Sequence, residues 1–190
     1  VLLGVAILAL QVNLLTAFLA LLTSFLYVVV YTPLKKVSWL NTAVGAIPGA
    51  LPPVGGWAAA TGGLDIGAWV LFSILFIWQH PHFFAIAWIY REDYRRGGLK
   101  MLPCIDETRT FSQVLFHCLL LMPVSLLPIY FGASGGAYFW GALLLGTLFL
   151  WSGIRFIVNA THQSAKRLLH ASLFYLPGLL IFAVIDHSLI

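Results

Sequence analysis

The sequence predicts an all-α, polytopic bundle of membrane-spanning helices, and three observations carry that prediction. Of 190 residues, 61% are hydrophobic and only 8% are charged, where a soluble domain carries roughly 25% charged residues. So short a chain cannot cover one large core with so few polar side chains, and lipid must cover it instead. Apolar stretches recur near 13–31, 41–60, 66–89, 111–131, 137–158 and 169–186, each near the ~20 residues needed to cross about 30 Å of hydrocarbon. The third observation is where the charges fall. Every Lys and Arg lies in an alternate connection: Lys35 and Lys36; Arg91, Arg95, Arg96, Lys100 and Arg109; Arg155, Lys166 and Arg167. The opposite connections and the C-terminal tail hold only Asp65 and Asp186. That asymmetry puts the basic side in the cytoplasm of a bacterium or the matrix of a mitochondrion.

The elements follow in order. Residues 1–10 are too short to span unaided and read as the tail of a helix or a short first one, with Gln11-Val12-Asn13 as its turn. Val1 lies inside an apolar run with no initiator Met, basic leader or cleavage site, which suggests a fragment or a processed start. No soluble domain or linker interrupts residues 1–190, so one transmembrane domain is expected. Cys104 and Cys118 have no zinc or c-type haem spacing and suggest no disulfide. The net charge of +4 belongs to membrane topology, and no nucleic-acid partner is expected.

The span near 13–31 ends in Tyr31-Thr32-Pro33-Leu34-Lys35-Lys36. Such lysines either snorkel to anchor a helix or contact phosphate, and spacing alone leaves both open. Residues 41–60 contain Pro48, Pro52 and Pro53, with Gly45 and Gly49 at GxxxG spacing. Proline removes an N–H donor, and a broken helix survives in lipid only where neighbours or a cavity satisfy the freed carbonyls. This is either a kinked packing helix or a chamber wall with Asn41 at its mouth.

The span 66–89 holds Trp78-Gln79-His80-Pro81-His82-Phe83-Phe84. Polar and ionisable groups at membrane depth are costly and usually face a cavity or partner. Helical spacing puts Trp78, Gln79 and His82 on one face, with His80 pointing away. If the helix runs on, Asp93 shares that face three turns later. The connection 90–110, the longest and most polar, starts Tyr90-Arg91-Glu92-Asp93-Tyr94-Arg95-Arg96. Glu92 and Arg96 at i,i+4 can form a solvated ion pair, or the carboxylates among cations can suit a magnesium-bridged diphosphate.

Three blocks, YTPLKKVSWLNTAVGAIPGALPPVGGW, WQHPHFFAIAWIYREDYRRGGLKMLP and AKRLLHASLFYLP, resemble in this order the haem O synthase (protohaem IX farnesyltransferase) branch of the UbiA-type prenyltransferases. The resemblance implies a nine-helix bundle around a lipid-accessible chamber capped on the cytoplasmic side. About seven of the nine helices would be present. The first two helices and the first acidic motif, an Asn and Asp cluster, would be missing, leaving this chain alone inactive. The implied reaction adds a hydroxyethylfarnesyl group from farnesyl diphosphate to a vinyl of haem B, giving haem O and diphosphate. Haem O would then pass to a haem A synthase or terminal oxidase, in a bacterial cytoplasmic membrane or, alternatively, the mitochondrial inner membrane.

Carried over residue by residue, Tyr31, Lys35 and Lys36 match the family's YT-x-x-K-[KR]; Asn41 matches its N-T-x-x-G-A. Gln79 and His82 match its W-Q-x-P-H-F, and Asp93 its second acidic region, without the DxxxD pair of other branches. Lys35, Lys36, Arg91, Arg95, Arg96 and Lys100 would bind the leaving diphosphate, with Mg2+ reached by Asp93 through that diphosphate. Trp78 and Phe83 would face the allylic cation. His82 would be an iron ligand, a proton acceptor or an orienting donor, with haem contact favoured. Rival readings are a UbiA-type enzyme acting on a quinone or chlorophyll precursor, and a transporter, channel or structural subunit.

Overall fold

The computed structural model describes residues 1–187. It is a multi-pass membrane bundle built only of helices among those residues. Helix α1 (Leu2–Gln11) turns back at Val12 into α2 (Leu14–Phe25). The turn is fixed by Asn13, whose Oδ1 accepts from the Thr16 N–H at 2.8 Å while its Nδ2 donates to Ala58 O at 2.9 Å. The same rod continues as a π-helical turn (Leu26–Tyr31) and α3 (Thr32–Val37). Pro33 has no N–H to give to the preceding turn, and Thr32 Oγ1 donates to Tyr27 O at 2.9 Å. Insertions of this kind often mark functional positions.

Helix α4 (Asn41–Thr61) carries its three prolines inside the helix and ends at Gly62, whose φ of +79° suits glycine. Helix α5 (Ile66–Ile89) starts at Asp65, whose carboxylate accepts from Gly67 N–H at 2.9 Å. Two short helices, α6 (Arg91–Arg96) and α7 (Leu102–Ile105), form the connection to α8 (Glu107–Ser125), and Asp106 caps α8. Helix α9 (Leu127–Tyr130) prolongs α8. Helices α10 (Gly136–Asn159) and α11 (His162–His187) follow, and the Asp186 carboxylate holds the N–H groups of Gly135 and Ala137 at the start of α10. That pairing satisfies orphan donors at a helix N-terminus, where negative charge is favoured.

Among the described residues, five helical rods are long and apolar enough to cross a membrane: Leu14–Val37, Ile66–Ile89, Glu107–Tyr130, Gly136–Asn159 and His162–Asp186. Helix α4, expected as a further span, is not among them. At 21 residues it reaches about 31 Å, but its Gly, Pro and Thr content lowers its hydropathy. It is held by packing instead, between α2 and α5, with Ala46, Ala50, Val54 and Ala58 fully buried. Small residues let backbones approach closely, which is how helices associate in lipid. Gly45 abuts the Tyr31 ring, which a Cβ would meet at 2.6 Å, and Gly49 abuts the Gln79 amide.

Two cores result. The larger joins α5, α8, α10 and α11 through Ile74, Trp88, Val114, Phe149, Phe156 and Tyr175; the smaller joins α2, α4 and the start of α5 through Leu19, Leu51, Val54 and Ala68. Helix α5 belongs to both and touches α4, α8 and α11. It is therefore the element able to position side chains toward three neighbours.

Candidate functional site

The segment Trp78–His82 uses those three neighbours. Trp78 and His82 turn to α11 and stack, with ring centroids 4.9 Å apart and planes 23° apart. Ser172 of α11 holds both: its carbonyl accepts from Trp78 Nε1–H at 2.9 Å, and its Oγ lies 2.7 Å from His82 Nδ1. The Ser172 hydroxyl donates its own proton to Leu169 O at 2.6 Å. With that proton committed, Ser172 Oγ accepts, so His82 Nδ1 carries the hydrogen; in a neutral ring, the form a water-poor site favours, Nε2 then keeps a lone pair. Ser172 is fully buried, so this assignment is protected from water.

Gln79 does not share its surroundings with His82, contrary to the one-face expectation. It turns to α4, where Nε2 donates to Ala46 O at 3.0 Å and the amide fits against Gly49. Pro48, Pro52 and Pro53 leave the carbonyls of Val44, Pro48 and Gly49 without helical donors; Ala46 O is not one of these, and the Gln79 amide is a second donor to it from across the interface. His80 points away from His82, as its spacing implied, and meets His117 of α8.

Asp93 does not lie on an extension of α5. The helix breaks at Tyr90, with φ −106° and ψ 25°, and α6 begins a new direction. The sequence gives a reason: Trp88 is buried in the larger core while the Arg91 guanidinium lies 4.9 Å over its ring, so the chain turns where apolar residues give way to charge. The expected Glu92–Arg96 pair is replaced by Glu92–Arg95 at 2.8 Å, and Asp93 lies 4.0 Å from Arg96. Arg91 binds Glu107 at 2.9 Å and Arg109 binds Asp106 at 3.2 Å.

A strap closes this end of the bundle. Lys100 N–H donates to Lys35 O at 2.8 Å, and Asn41 Nδ2 donates to both Ser38 O and Lys100 O, at 2.6 and 2.8 Å. Asn41 is fully buried. Its amide ties the 97–101 turn to the start of α4, so it sits under the cap and not at an open mouth. The strap brings Lys35, Lys36 and Lys100 to one edge, and none of the three makes an ion pair among the described residues. The four arginines of the cap are each engaged with a carboxylate, leaving the lysines as the uncommitted cations. Burial pushes the Cys104 thiol and the Tyr94 phenol of the cap upward in pKa. Cys104 and Cys118 are both free thiols.

Among the described residues no group of three or more His, Cys, Asp or Glu could hold a metal ion. Mg2+ needs no such cage: it takes one or two carboxylates and completes its shell with water and substrate phosphate. Asp93, with 71% of its side chain exposed, fits that limited role. An apolar groove of about 440 Å³ runs between α1, α2 and α4, lined by Leu8, Leu19, Leu51 and Pro52. Thr16 also lines it, and its hydroxyl has no hydrogen-bond partner among the described residues.

Ser172 and His117 were missed in the sequence. Ser172 reads as an ordinary helical serine, and nothing local marks it. His117 carried a usable signal, since an ionisable residue inside an apolar span is a functional candidate by default.

The profile of the UbiA prenyltransferase family matches residues 1–176. The chain is 51% identical to a protoheme IX farnesyltransferase of Solibacter usitatus, over 88% of this chain and 58% of that protein. It is 49% identical to one of Salinibacter ruber, over 84% and 57%, and 46% identical to the human mitochondrial protein of that name, over 94% and 40%. The chain thus spans less than two thirds of the length of these relatives. No solved structure matches it.

Proposed function

The chain belongs to the UbiA prenyltransferase family, and on that premise we propose that it forms most of the catalytic domain of an enzyme that farnesylates haem B to haem O. The reading rests on the similarity to protoheme IX farnesyltransferases together with one geometric observation. A cap bearing uncommitted lysines closes an end of the bundle whose interior holds the His82 imidazole, fixed through Nδ1 on Ser172.

In this scheme Lys35, Lys36 and Lys100 bind the diphosphate, with Arg91, Arg95 and Arg96 around it. The allylic C–O bond breaks and the bonding electrons leave with the diphosphate, whose charge the cations stabilise most strongly where water is scarce. Asp93 would hold Mg2+, which when bound supplies charge neutralisation to the leaving group. The farnesyl tail lies in the apolar groove between α2 and α4. A vinyl carbon of haem B forms the new C–C bond, and water adds to the resulting cation with loss of a proton. Trp78, stacked on His82, offers a ring face to positive charge. His82 Nε2 contacts the haem, because imidazole is a common iron ligand and Ser172 has already fixed the required tautomer. Tyr31, Asn41 and Gln79 shape the site by packing and by backbone bonds. The membrane is a bacterial cytoplasmic or mitochondrial inner membrane, and haem O passes on to a haem A synthase or terminal oxidase.

The test is to supply the full-length protein, in membranes, with haem B, farnesyl diphosphate and Mg2+ and to look for haem O by mass spectrometry. Haem O should form, and His82→Ala should impair haem binding or transfer more than His80→Ala. Prenylation of a quinone precursor in place of haem would overturn the acceptor, and equal effects of the two variants would overturn the role of His82.

A further inference from the structure

Lys100 is fastened to the far side of the cap through its backbone. Its N–H donates to Lys35 O at 2.8 Å, one of the carbonyls that α3 leaves without a helical donor at its C-terminus. Its own carbonyl accepts from Asn41 Nδ2 at 2.8 Å. Both polar backbone groups of Lys100 are thus committed to the 35–41 segment, while its exposed side chain makes no ion pair among the described residues. On its N-terminal side the turn hangs from α6: Gly98 N–H donates to Arg95 O at 3.0 Å and Leu99 N–H to Tyr94 O at 2.9 Å, with Gly98 at φ +67°.

Asn41 is the pin of this arrangement. The amide that holds Lys100 O also donates to Ser38 O at 2.6 Å. Carbonyls only accept, so the NH2 group of Asn41 faces both of them and its two hydrogens are used. Its oxygen accepts from the Thr42 hydroxyl at 3.3 Å. With no exposed surface, Asn41 lies out of a ligand's reach. Its effect is on the lysines. A backbone hydrogen bond such as Lys100 N–H to Lys35 O sets two Cα atoms roughly 5–6 Å apart, so ammonium groups on flexible four-carbon stems can close on one anion. A diphosphate carries two adjacent phosphoryl groups and suits a pair of cations. With the backbones already fixed side by side, binding has only side-chain freedom to remove, which lowers its cost.

We propose that Asn41 is a positioning residue for the diphosphate: it touches no substrate and acts by pinning Lys100 beside Lys35, so that both cations meet one leaving group. This role rests on the assignment of the lysines to diphosphate under the proposed function. It differs from a purely structural one in acting through the Lys100 ammonium, and it leaves the haem end of the site untouched.

The test measures binding of inorganic diphosphate with Mg2+ to the full-length protein in lipid nanodiscs by calorimetry, with haem B affinity read in parallel. Lys100→Ala removes the cation and keeps the strap; Asn41→Ala keeps the cation and frees the strap. Each should weaken diphosphate binding about tenfold, the size of one well-placed charged contact, and leave haem affinity unchanged. The double variant should bind no worse than Lys100→Ala, because without the ammonium nothing is left to position. Gly98→Val strains the same turn from its solvent side, since φ +67° suits glycine alone. It should weaken diphosphate in the same way, and it decides the matter if Asn41→Ala does not fold. Additive losses in the double variant, a parallel loss of haem affinity, or wild-type diphosphate affinity in Asn41→Ala, or in Gly98→Val where Asn41→Ala does not fold, would overturn the positioning role. Unchanged diphosphate affinity in both Lys35→Ala and Lys100→Ala would instead overturn the assignment of the lysines, and the role of Asn41 with it.

Discussion

The intramembrane cluster around Trp78–His82 and the charged cap above it solve opposite problems. Inside, each polar side chain of the cluster is directed to a specific partner: Gln79 to Ala46 O, Trp78 to Ser172 O, His82 to Ser172 Oγ. An unpaired polar group there would cost its full desolvation energy, so position is enforced by hydrogen bonds and by close packing on glycine. In the cap, charge is plentiful and the partners are interchangeable: Glu92 lies near both Arg91 and Arg95. Exposed ion pairs are weak, so the cap can exchange them for a charged ligand. The interior is built to hold geometry and the cap to release it.

That contrast is broken most severely at Gly49. A Cβ there would land on the Gln79 amide oxygen, which has no room to retreat without losing Ala46 O. Gly49→Val should cost at least the ~1–3 kcal/mol typical of overpacking and separate α4 from α5. Thermal unfolding in detergent measures this, with Gly55→Val as the control because no other helix among the described residues comes within 4 Å of its Cβ position. Equal unfolding temperatures for the two variants would mean that the interior is as forgiving as the cap.

Ser172→Ala should give the intermediate effect. It leaves the Trp78 bond to a backbone carbonyl intact but removes the acceptor of His82 Nδ1–H. An unsatisfied buried donor costs roughly 1–3 kcal/mol, and the freed ring can take the other tautomer, hiding its Nε2 lone pair. Haem affinity should fall by about tenfold, since ~1.4 kcal/mol corresponds to that factor. Haem titration monitored by absorbance reads it, and unchanged affinity would detach Ser172 from the haem site.

Much of the bundle was legible because hydropathy and length act over whole spans, while its ends depended on caps that hydropathy does not see. Helix α8 begins at Glu107 instead of near 111 because Asp106 caps it. Helix α11 begins at His162 instead of near 169, where Thr161 and Ser164 satisfy each other's backbone donors. The close approach at Gly45 and Gly49 could be read from their spacing, but that they admit Tyr31 and Gln79 could not, since partners depend on tertiary placement. The same holds for Asp93: a continuous helix would have put it over His82, and the break at Tyr90 follows from where Trp88 buries. Ser172 was invisible because its role lies in a bond to a residue 90 positions away.

The smallest expected effect tests the cap itself. Glu92 contacts Arg95 at 2.8 Å and Arg91 at 4.0 Å, with 64% of its side chain exposed. Glu92→Gln removes the charge and keeps the shape. Its contribution to stability should lie within the ~0–1 kcal/mol of surface pairs, and the difference from wild type should shrink as salt rises, because the pair is screened. Arg95 would lose its carboxylate partner, keep the Cys104 carbonyl at 3.3 Å, and become freer to meet an anion. Inorganic diphosphate should therefore inhibit the variant at equal or up to about fivefold lower concentration, the equivalent of roughly 1 kcal/mol. Inhibition and unfolding measured on the same preparations decide the matter. If Glu92→Gln unfolded as readily as Gly49→Val, the cap ion pairs would be structural, and the separation between a geometry-holding interior and an exchangeable cap would fail.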